Sequence, residues 1–452
     1  MALTRREFLE GVAAGAATFT FVPAGVLGLE GRPSANERLN IAAVGVGGMG
    51  KNNVKAVASE NIVALCDVDE QYAGPVFNEY PNAKKFRDYR KMLDQMDKQI
   101  DAVIIATPDH THAVVAMECM KRGKHVYVQK PLTRTVYEAR MLTEAARRYK
   151  VVTQMGNQGA SSEEVRLVCE WIWDGAIGQV REVHAWTNRP VWPQGIDRPQ
   201  DTPPVPSTLD WDLWIGPSPM RPYHPTYHPF NWRAWQDFGT GALGDMACHV
   251  LDPVFRALKL RYPVSVEACV TTQFKEMWKA WRNTETYPLS SIVRYKFPAR
   301  EGMPEVRVYW YDGGMMPPRP DELEPGRRLG DDEGGVLFVG DKGKLMTGCY
   351  SRGPQLIPYS RMKEYKRPEK TIPRVNTSHE MHWVQCCKEG KIDGPSSHFE
   401  YAGPFTESVV MGNLAIRFPN QLLLWDGQAM KVTNLEQANA LVNPPYREGW
   451  SL

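Results

Sequence analysis

From residue 39 onward, short unbroken apolar runs alternate with stretches of mixed polarity. Residues 41–44, the run "NIVALC" at 61–66, the core of "DAVIIATP" from 101 and "HVYV" at 125–128 are rich in Val, Ile and Ala and show no polar alternation. Runs of that length without alternation fit strands covered on both faces, as in a parallel sheet. Between them the spacing suits helices, over 51–57 and over 113–122. Strand and helix taking turns in this way predict an α/β fold with a parallel, doubly wound sheet. After residue 157 the pattern changes. One helix is expected over 162–174. Strand-like runs follow in "QVREVHAWTNRP", "PVSVEACVTTQF", "SSIVRYKF", "EVRVYWYDGG" and "GVLFVGDKGKLMTG". The last reads as a hairpin turning at Asp341, Lys342 and Gly343. Helices are expected around 378–389 and 406–417.

Residues 190–238 break the pattern. Their prolines exclude long helices and central strands, and a loop of this length in a compact domain is often functional. The segment carries Trp192, Trp211, Trp214, Tyr223, Tyr227, Trp232 and Trp235, with Arg189 and Arg233 nearby. Aromatic faces beside arginine suit a sugar cleft, giving a platform for C–H faces and donors for hydroxyls. They suit a satellite core under the loop equally well, and the residues are expected to divide between the two uses. Arg189, Trp192, Tyr227, Trp232, Arg233 and Trp235 are the candidate substrate contacts.

Composition narrows the function. With 23% charged residues and a net charge of +2, no basic block stands out to draw a nucleic acid or an anionic membrane surface. No two of the eight cysteines form a C-x-x-C pair, and most lie in apolar runs. They read as small buried hydrophobes rather than a disulfide framework or a zinc site, and no metal is expected.

The first strand is followed at once by Gly45-x-Gly47-x-x-Gly50, with Val46 and Met49 inside the turn. A strand before and a helix after give this glycine pattern its meaning. The backbone can approach a pyrophosphate, and the helix amino terminus supplies donors and a positive dipole end. Asp67 ends the next strand about 20 residues on, where an acid accepts bonds from the adenine ribose hydroxyls. Its charge would repel a 2′-phosphate, so NAD is favoured over NADP, and Asp69 is placed to share the role. Two further strand ends carry Thr107-Pro108-Asp109-His110-Thr111-His112 and Gln129-Lys130-Pro131. Cofactors bind at the carboxyl ends of such strands, which brings Thr107, Pro108, His112, Gln129 and Lys130 to the cofactor, with His110 nearby. Asn157 joins this set at the end of the domain. Pro131 holds Lys130 out of helical conformation, so its ammonium is fixed toward the nicotinamide side.

These features resemble the Gfo/Idh/MocA oxidoreductases, the family of glucose–fructose oxidoreductase, inositol dehydrogenase and rhizopine-catabolism proteins. The resemblance rests on the glycine turn, the T-P-x-x-x-H segment and the Lys-Pro strand end, where Gln129 stands in place of the family glutamate. It covers nearly all of the chain after residue 39. It implies a Rossmann NAD-binding domain over 39–156. It also implies a substrate and oligomerisation domain over 157–452, an α+β domain with an open, mostly antiparallel sheet. The family's D-x-x-x-H helix is matched by Asp245 and His249 in "GTGALGDMACHVLDP". These two share one helix face. By resemblance, His249 exchanges a proton with the substrate hydroxyl and Asp245 binds a neighbouring hydroxyl or orients the site. Lys130 adds a cation near the same oxygen. A histidine titrates near neutrality and can serve in both directions.

At the amino terminus, "TRREFL" precedes a mildly apolar run rich in Gly and Ala. Residues 1–30 resemble a twin-arginine export signal, with 31–38 as a linker or an arm lying across the cofactor. The resulting expectation is an exported, periplasmic or envelope-associated oxidoreductase with tightly held NAD. Its substrate would be a sugar, polyol or glycoside. Its partners would be the twin-arginine machinery and further copies of itself through the second sheet, with no nucleic acid. Two alternatives stand beside it. One is a redox glycosidase, which oxidises a ring carbon, eliminates the glycosidic bond and returns the hydride. The other is an inactive carbohydrate-binding or scaffold protein.

Overall fold

The structure is a computed structural model that describes residues 37–452. The export signal and all but Glu37 and Arg38 of the expected arm lie outside the described residues.

Six strands form the first sheet: β1 (Asn40–Val44), β2 (Asn61–Cys66), β3 (Lys84–Phe86), β4 (Ala102–Ile105), β5 (His125–Gln129) and β6 (Thr153–Gly156). All pairings are parallel, in the order β3-β2-β1-β4-β5-β6. The apolar runs are the reason. Ile41, Ala42 and Ala43 in β1 and Val103, Ile104 and Ile105 in β4 are fully buried by helices on both faces. Strand order reverses between β1 and β4, so a crevice opens there at the carboxyl ends.

The helix expected from residue 113 spans Asp109–Lys121 instead. Thr107-Pro108 reads as a break in the sequence, yet Pro108 takes the extended conformation of a helix cap, and Asp109 complements the dipole in the first turn. The helix expected over 406–417 likewise begins earlier, spanning Phe399–Arg417 with Pro404 inside it. Gly403, which suggests a break, is needed for packing: a Cβ there would collide with the Thr143 hydroxyl of the helix Val136–Tyr149.

Among the described residues the second sheet has nine strands. They are β7 (Val180–Thr187), β8 (Ser265–Val270), β11 (Ser291–Phe297), β12 (Val306–Tyr311), β13 (Gly334–Gly340), β14 (Gly343–Gly348), β15 (Gln355–Ile357), β16 (Leu423–Asp426) and β17 (Lys431–Val432). A separate hairpin pairs β9 (Gln273–Glu276) with β10 (Lys279–Trp281). The order is β15-β14-β13-β7-β12-β11-β8-β16-β17, antiparallel except between β7 and β12. The β13–β14 turn falls at Asp341 and Lys342, as expected. The helix Phe399–Arg417 packs between the two sheets, against β8 and the helix Val136–Tyr149. All eight cysteines are free, and all but Cys269 are buried.

Candidate active site

The glycine turn follows β1. Gly45 has φ +77°, and a Cβ there would lie 2.7 Å from the backbone of Ala106 and Thr107. A Cβ on Gly50 would strike the Gly45 carbonyl, and one on Gly47 would strike the Tyr72 ring. The helix Gly48–Ala56 starts at Gly47 with no side chain capping it and no acid in its first turn. That leaves a bare positive end, as an anionic pyrophosphate requires. The residues present therefore fit a dinucleotide.

Asp67 is the hinge of this cradle. Its Oδ2 accepts from Val46 N–H at 2.8 Å and Gly47 N–H at 3.2 Å, and its Oδ1 accepts from Asp69 N–H at 3.0 Å. Burial pushes the Asp67 carboxyl up, and these backbone donors hold it back. The same carboxylate that faces the cleft thus also sets the shape of the glycine turn. Asp69 is engaged elsewhere: it caps the helix Glu70–Glu79 and bonds the His228 ring at 2.8 Å.

On the other side of the switch point, His112 spans both strand ends. Its Nδ1 lies 2.9 Å from the Pro131 carbonyl and its Nε2 lies 2.7 Å from that of Thr107. Burial lowers its pKa to about 4, so it lines the cleft as a brace. His110 is wholly buried between the Trp214 and Phe238 carbonyls and does not line it. Gln129 donates to Asn53 at 2.9 Å, and Asn53 donates to the buried Glu380 at 3.0 Å. Tyr127 and Gln158 donate to the same Glu380 oxygen. An acidic side chain thus joins this polar network from the second domain, although position 129 itself is an amide.

Lys130 donates to the Asp245 carboxylate at 2.9 Å and to the Asp245 carbonyl at 2.7 Å. Arg233 lies 3.3 Å from the same carboxylate oxygen. Burial works against the Asp245 charge, but Lys130 and Arg233 outweigh it and hold the carboxyl at about 2. His249 follows one turn later on the helix Gly241–Val250. It is 6% exposed, and its Nδ1 is buried with no hydrogen-bond partner among the described residues. Burial, reinforced by the Lys130 charge, drives its pKa well below the usual histidine value, so it rests as a neutral imidazole and does not titrate near neutrality as its residue type suggests. Asn157 is not directed to the cleft. It is fully buried and ties the end of β6 to this helix, donating to the Cys248 carbonyl and to Asp252, each at 3.1 Å.

The cleft surface includes Gly45, Gly47, Met49, Asp67, Thr107 and Pro108. It continues through His112, Gln129, Lys130, Trp232 and Arg233. Val46 and Gly50 shape the turn from behind. Asp245 and His249 sit just outside this surface, and Asp245 is joined to it through Lys130.

The insertion's aromatics divide. Trp192, Tyr227 and Trp235 are packed with Trp211 and Phe238 in a satellite core, and none of the three lines the cleft. The Trp235 indole donates to the Thr226 carbonyl, so even its polar edge is used internally. Only Trp232 and Arg233 of the expected substrate contacts reach the cleft, with the Arg233 guanidinium 4.2 Å from the Trp232 ring centre. Arg189 pairs with Glu333 at 3.5 Å, away from the cleft surface, and its charge still depresses the His249 pKa.

Two residues escaped the sequence reading. Asp109 lines the cleft, 3% exposed, and accepts from the Thr240 hydroxyl at 2.6 Å. Burial raises its carboxyl to about 7 against the pull of Thr240, Arg233 and Lys130. Its place at the helix start after T-P was the available signal, lost because the helix was expected to begin only at residue 113. Tyr350 packs on His249 with ring centres 4.7 Å apart, and it holds φ +56°. No sequence pattern links position 350 to position 249.

Known proteins share the two domains. The model described as "Oxidoreductase family, NAD-binding Rossmann fold" matches residues 39–157. The companion "Oxidoreductase family, C-terminal alpha/beta domain" matches 179–290, and together they span just over half of the chain. Levoglucosan dehydrogenase of Pseudarthrobacter phenanthrenivorans is 26% identical over 228 residues, 48% of this chain and 50% of that protein. Inositol 2-dehydrogenase of Rubrobacter xylanophilus is 31% identical over 156 residues, 33% of this chain and 44% of that protein. The chain thus spans about half the length of the curated relatives it matches. The WlbA dehydrogenase of Bordetella pertussis, solved with NADH and UDP-GlcNAcA, has a similar fold. Its TM-score is 0.57 at 17% identity, covering 86% of this chain and 99% of that one. Glycine cradle, parallel sheet and matched domains together place the chain in the Gfo/Idh/MocA oxidoreductase family, with an NAD-binding Rossmann domain followed by that family's α/β domain.

Proposed function

We propose that this protein is an exported NAD-dependent oxidoreductase that acts on a hydroxyl of a sugar, polyol or glycoside. One observation carries the reading. Lys130, fixed at the end of β5, is bonded to Asp245, one turn from a buried, neutral and unpartnered His249. NAD, when bound, supplies the acceptor for the hydride of the carbinol carbon. The chain does the rest. His249 takes the hydroxyl proton as a neutral base. Lys130 stabilises the oxygen as charge develops on it. Asp245 holds Lys130 in place through its carboxylate and carbonyl oxygens, and Trp232 with Arg233 offers an aromatic and cationic wall to the substrate. The relatives' names, levoglucosan dehydrogenase and inositol 2-dehydrogenase, support a polyhydroxylated substrate. Arg5-Arg6 before an apolar run supports export in a folded state, with the cofactor already inside.

A second reading draws on Asp109. A redox glycosidase must move two protons, one at the oxidised hydroxyl and one at the neighbouring carbon. A second carboxyl poised near pH 7 beside Lys130 suits that need. One experiment tests both readings. The purified protein is denatured to identify any released dinucleotide, and the native protein is incubated in D2O with a panel of sugars, polyols and glycosides. Reduction of bound NAD supports an oxidoreductase. Cleavage with deuterium beside the former carbonyl carbon supports the glycosidase. If every compound leaves bound NAD oxidised and no glycoside is cleaved, the inactive binding protein is the better account.

A further inference from the structure

The two ends of the cleft are closed by different parts of the chain. The β5 end belongs to Lys130 and the helix of His249. The β2 end, on the far side of the switch point, is where the adenosine of a dinucleotide lies. Its floor is Cys66, Asp67, Val68, Tyr89 and Val115. Its roof comes from two segments distant in sequence.

One is the insertion. Asp210 N–H donates to the Val68 carbonyl at 2.9 Å, Glu70 N–H donates to the Thr208 carbonyl at 3.1 Å, and His228 bonds Asp69 at 2.8 Å. These bonds strap the insertion to the loop that carries Asp67, and place Leu213 and Trp214 over the cleft. The other is residues 446–450. Arg447 N–H donates to the Pro217 carbonyl, and its guanidinium to the Gly216 carbonyl, each at 2.9 Å, and to Asp212. Tyr446 donates to Glu138 at 2.7 Å, anchoring the segment to the first domain. Trp450 then lies against the Tyr89 ring, 6.4 Å between centres, with the Arg90 guanidinium 4.7 Å from its own ring centre. Trp450 lines the cleft beside Leu213 and Tyr89.

We propose that Trp450, together with Leu213 and Tyr89, forms an adenine slot whose roof must lift off Val68, Asp69 and Arg90 before the dinucleotide can leave. The insertion therefore serves cofactor retention, with the segment around Trp450 as its latch. A flat purine between aromatic and aliphatic faces is the ligand chemistry this slot fits. The inference rests on NAD binding by the first domain and not on the sugar reaction. Its test contains no sugar.

Release of NADH from the full chain is followed by the loss of its fluorescence after a chase with excess NAD. Affinity for ADP-ribose, which keeps the adenosine and pyrophosphate and lacks only the nicotinamide, is measured beside it. Trp450→Ala is expected to speed release at least tenfold and to weaken ADP-ribose by a similar factor. Trp450→Phe, which keeps a flat ring, is expected to stay near wild type. Leu213→Ala provides an independent variant on the other roof segment, and unchanged circular dichroism shows that each fold is intact. Unchanged release in both Trp450→Ala and Leu213→Ala would overturn the proposal. So would faster NADH release with ADP-ribose binding unaffected.

Discussion

At the β5 end of the cleft, Lys130 and Asp245 sit on rigid elements, a strand end and a helix, and Arg233 of the insertion adds a third charge to them. At the β2 end, an insertion without long secondary structure reaches the same cleft through a packed aromatic core, with Trp211 and Trp214 stacked at 4.7 Å. The first arrangement fixes chemistry and tolerates little displacement. The second fixes a cover, and most of its aromatic mass is spent on holding its own shape. The difference teaches that the same residue types, aromatic rings beside arginine, served structure at Tyr227 and Trp235 and lined the cleft at Trp232 and Arg233.

The contrast can be broken most severely at the glycine turn. Gly50→Ala forces a Cβ into the Gly45 carbonyl, a backbone atom that cannot step aside. The purified variant should carry no dinucleotide, measured by absorbance after denaturation, while the second domain still folds. Full cofactor occupancy would mean that the turn is not the cradle.

Next in size is the insertion core. Trp235→Ala removes a fully buried indole and its bond to Thr226. A loss of ~3–5 kcal/mol is expected from denaturant unfolding. A loss under ~1 kcal/mol would return Trp235 to the candidate substrate contacts.

Asp109 gives a pH-dependent test. Its folded pKa of about 7 lies above the ordinary carboxylate value, because burial favours the neutral acid. The stability that this protonated form contributes is fully present below pH ~4 and is lost as pH rises through ~7. Asp109→Asn, whose amide oxygen still accepts from Thr240, should match wild type at pH 4 and exceed it at pH 8. The gain should be a few kcal/mol at most, since each pKa unit is worth about 1.4 kcal/mol. Parallel stability curves for the two proteins would remove Asp109 from this account.

Asp67 should show the smallest effect. Asp67→Ala is expected to narrow the preference for NAD over NADP by about tenfold, equivalent to about 1.4 kcal/mol. It should also loosen the turn, because Val46 and Gly47 lose their acceptor. Equal wild-type affinity for both cofactors would contradict the assignment.

The β5 and β1 strand ends were legible because backbone rules dictate them. Glycine positions, an acid about 20 residues on and a proline after Lys130 each have one physical reading, and Asp245 and His249 lie on one face of a helix wherever that helix packs. The antiparallel second sheet followed from the family resemblance, while its strand-like runs were visible in the sequence. The division of the insertion was not legible. Whether Trp192 or Trp232 faces the cleft depends on which surface a loop presents to a distant strand end, and composition carries no such information. Asp109 was hidden by a local rule with two outcomes, since proline ends one helix and begins another. Tyr350 and Trp450 reach the site only through the tertiary fold.

The central claim is that His249 acts as the base beside Lys130 and takes no part in holding the cofactor. Single-turnover reduction of bound NAD, read at 340 nm in wild type and in His249→Ala at matched cofactor occupancy, addresses it directly. The account predicts that occupancy stays unchanged while the reduction rate falls about 10²–10⁴-fold, the usual contribution of a general base. Reduction at the wild-type rate in His249→Ala would contradict it and move the proton transfer to Lys130.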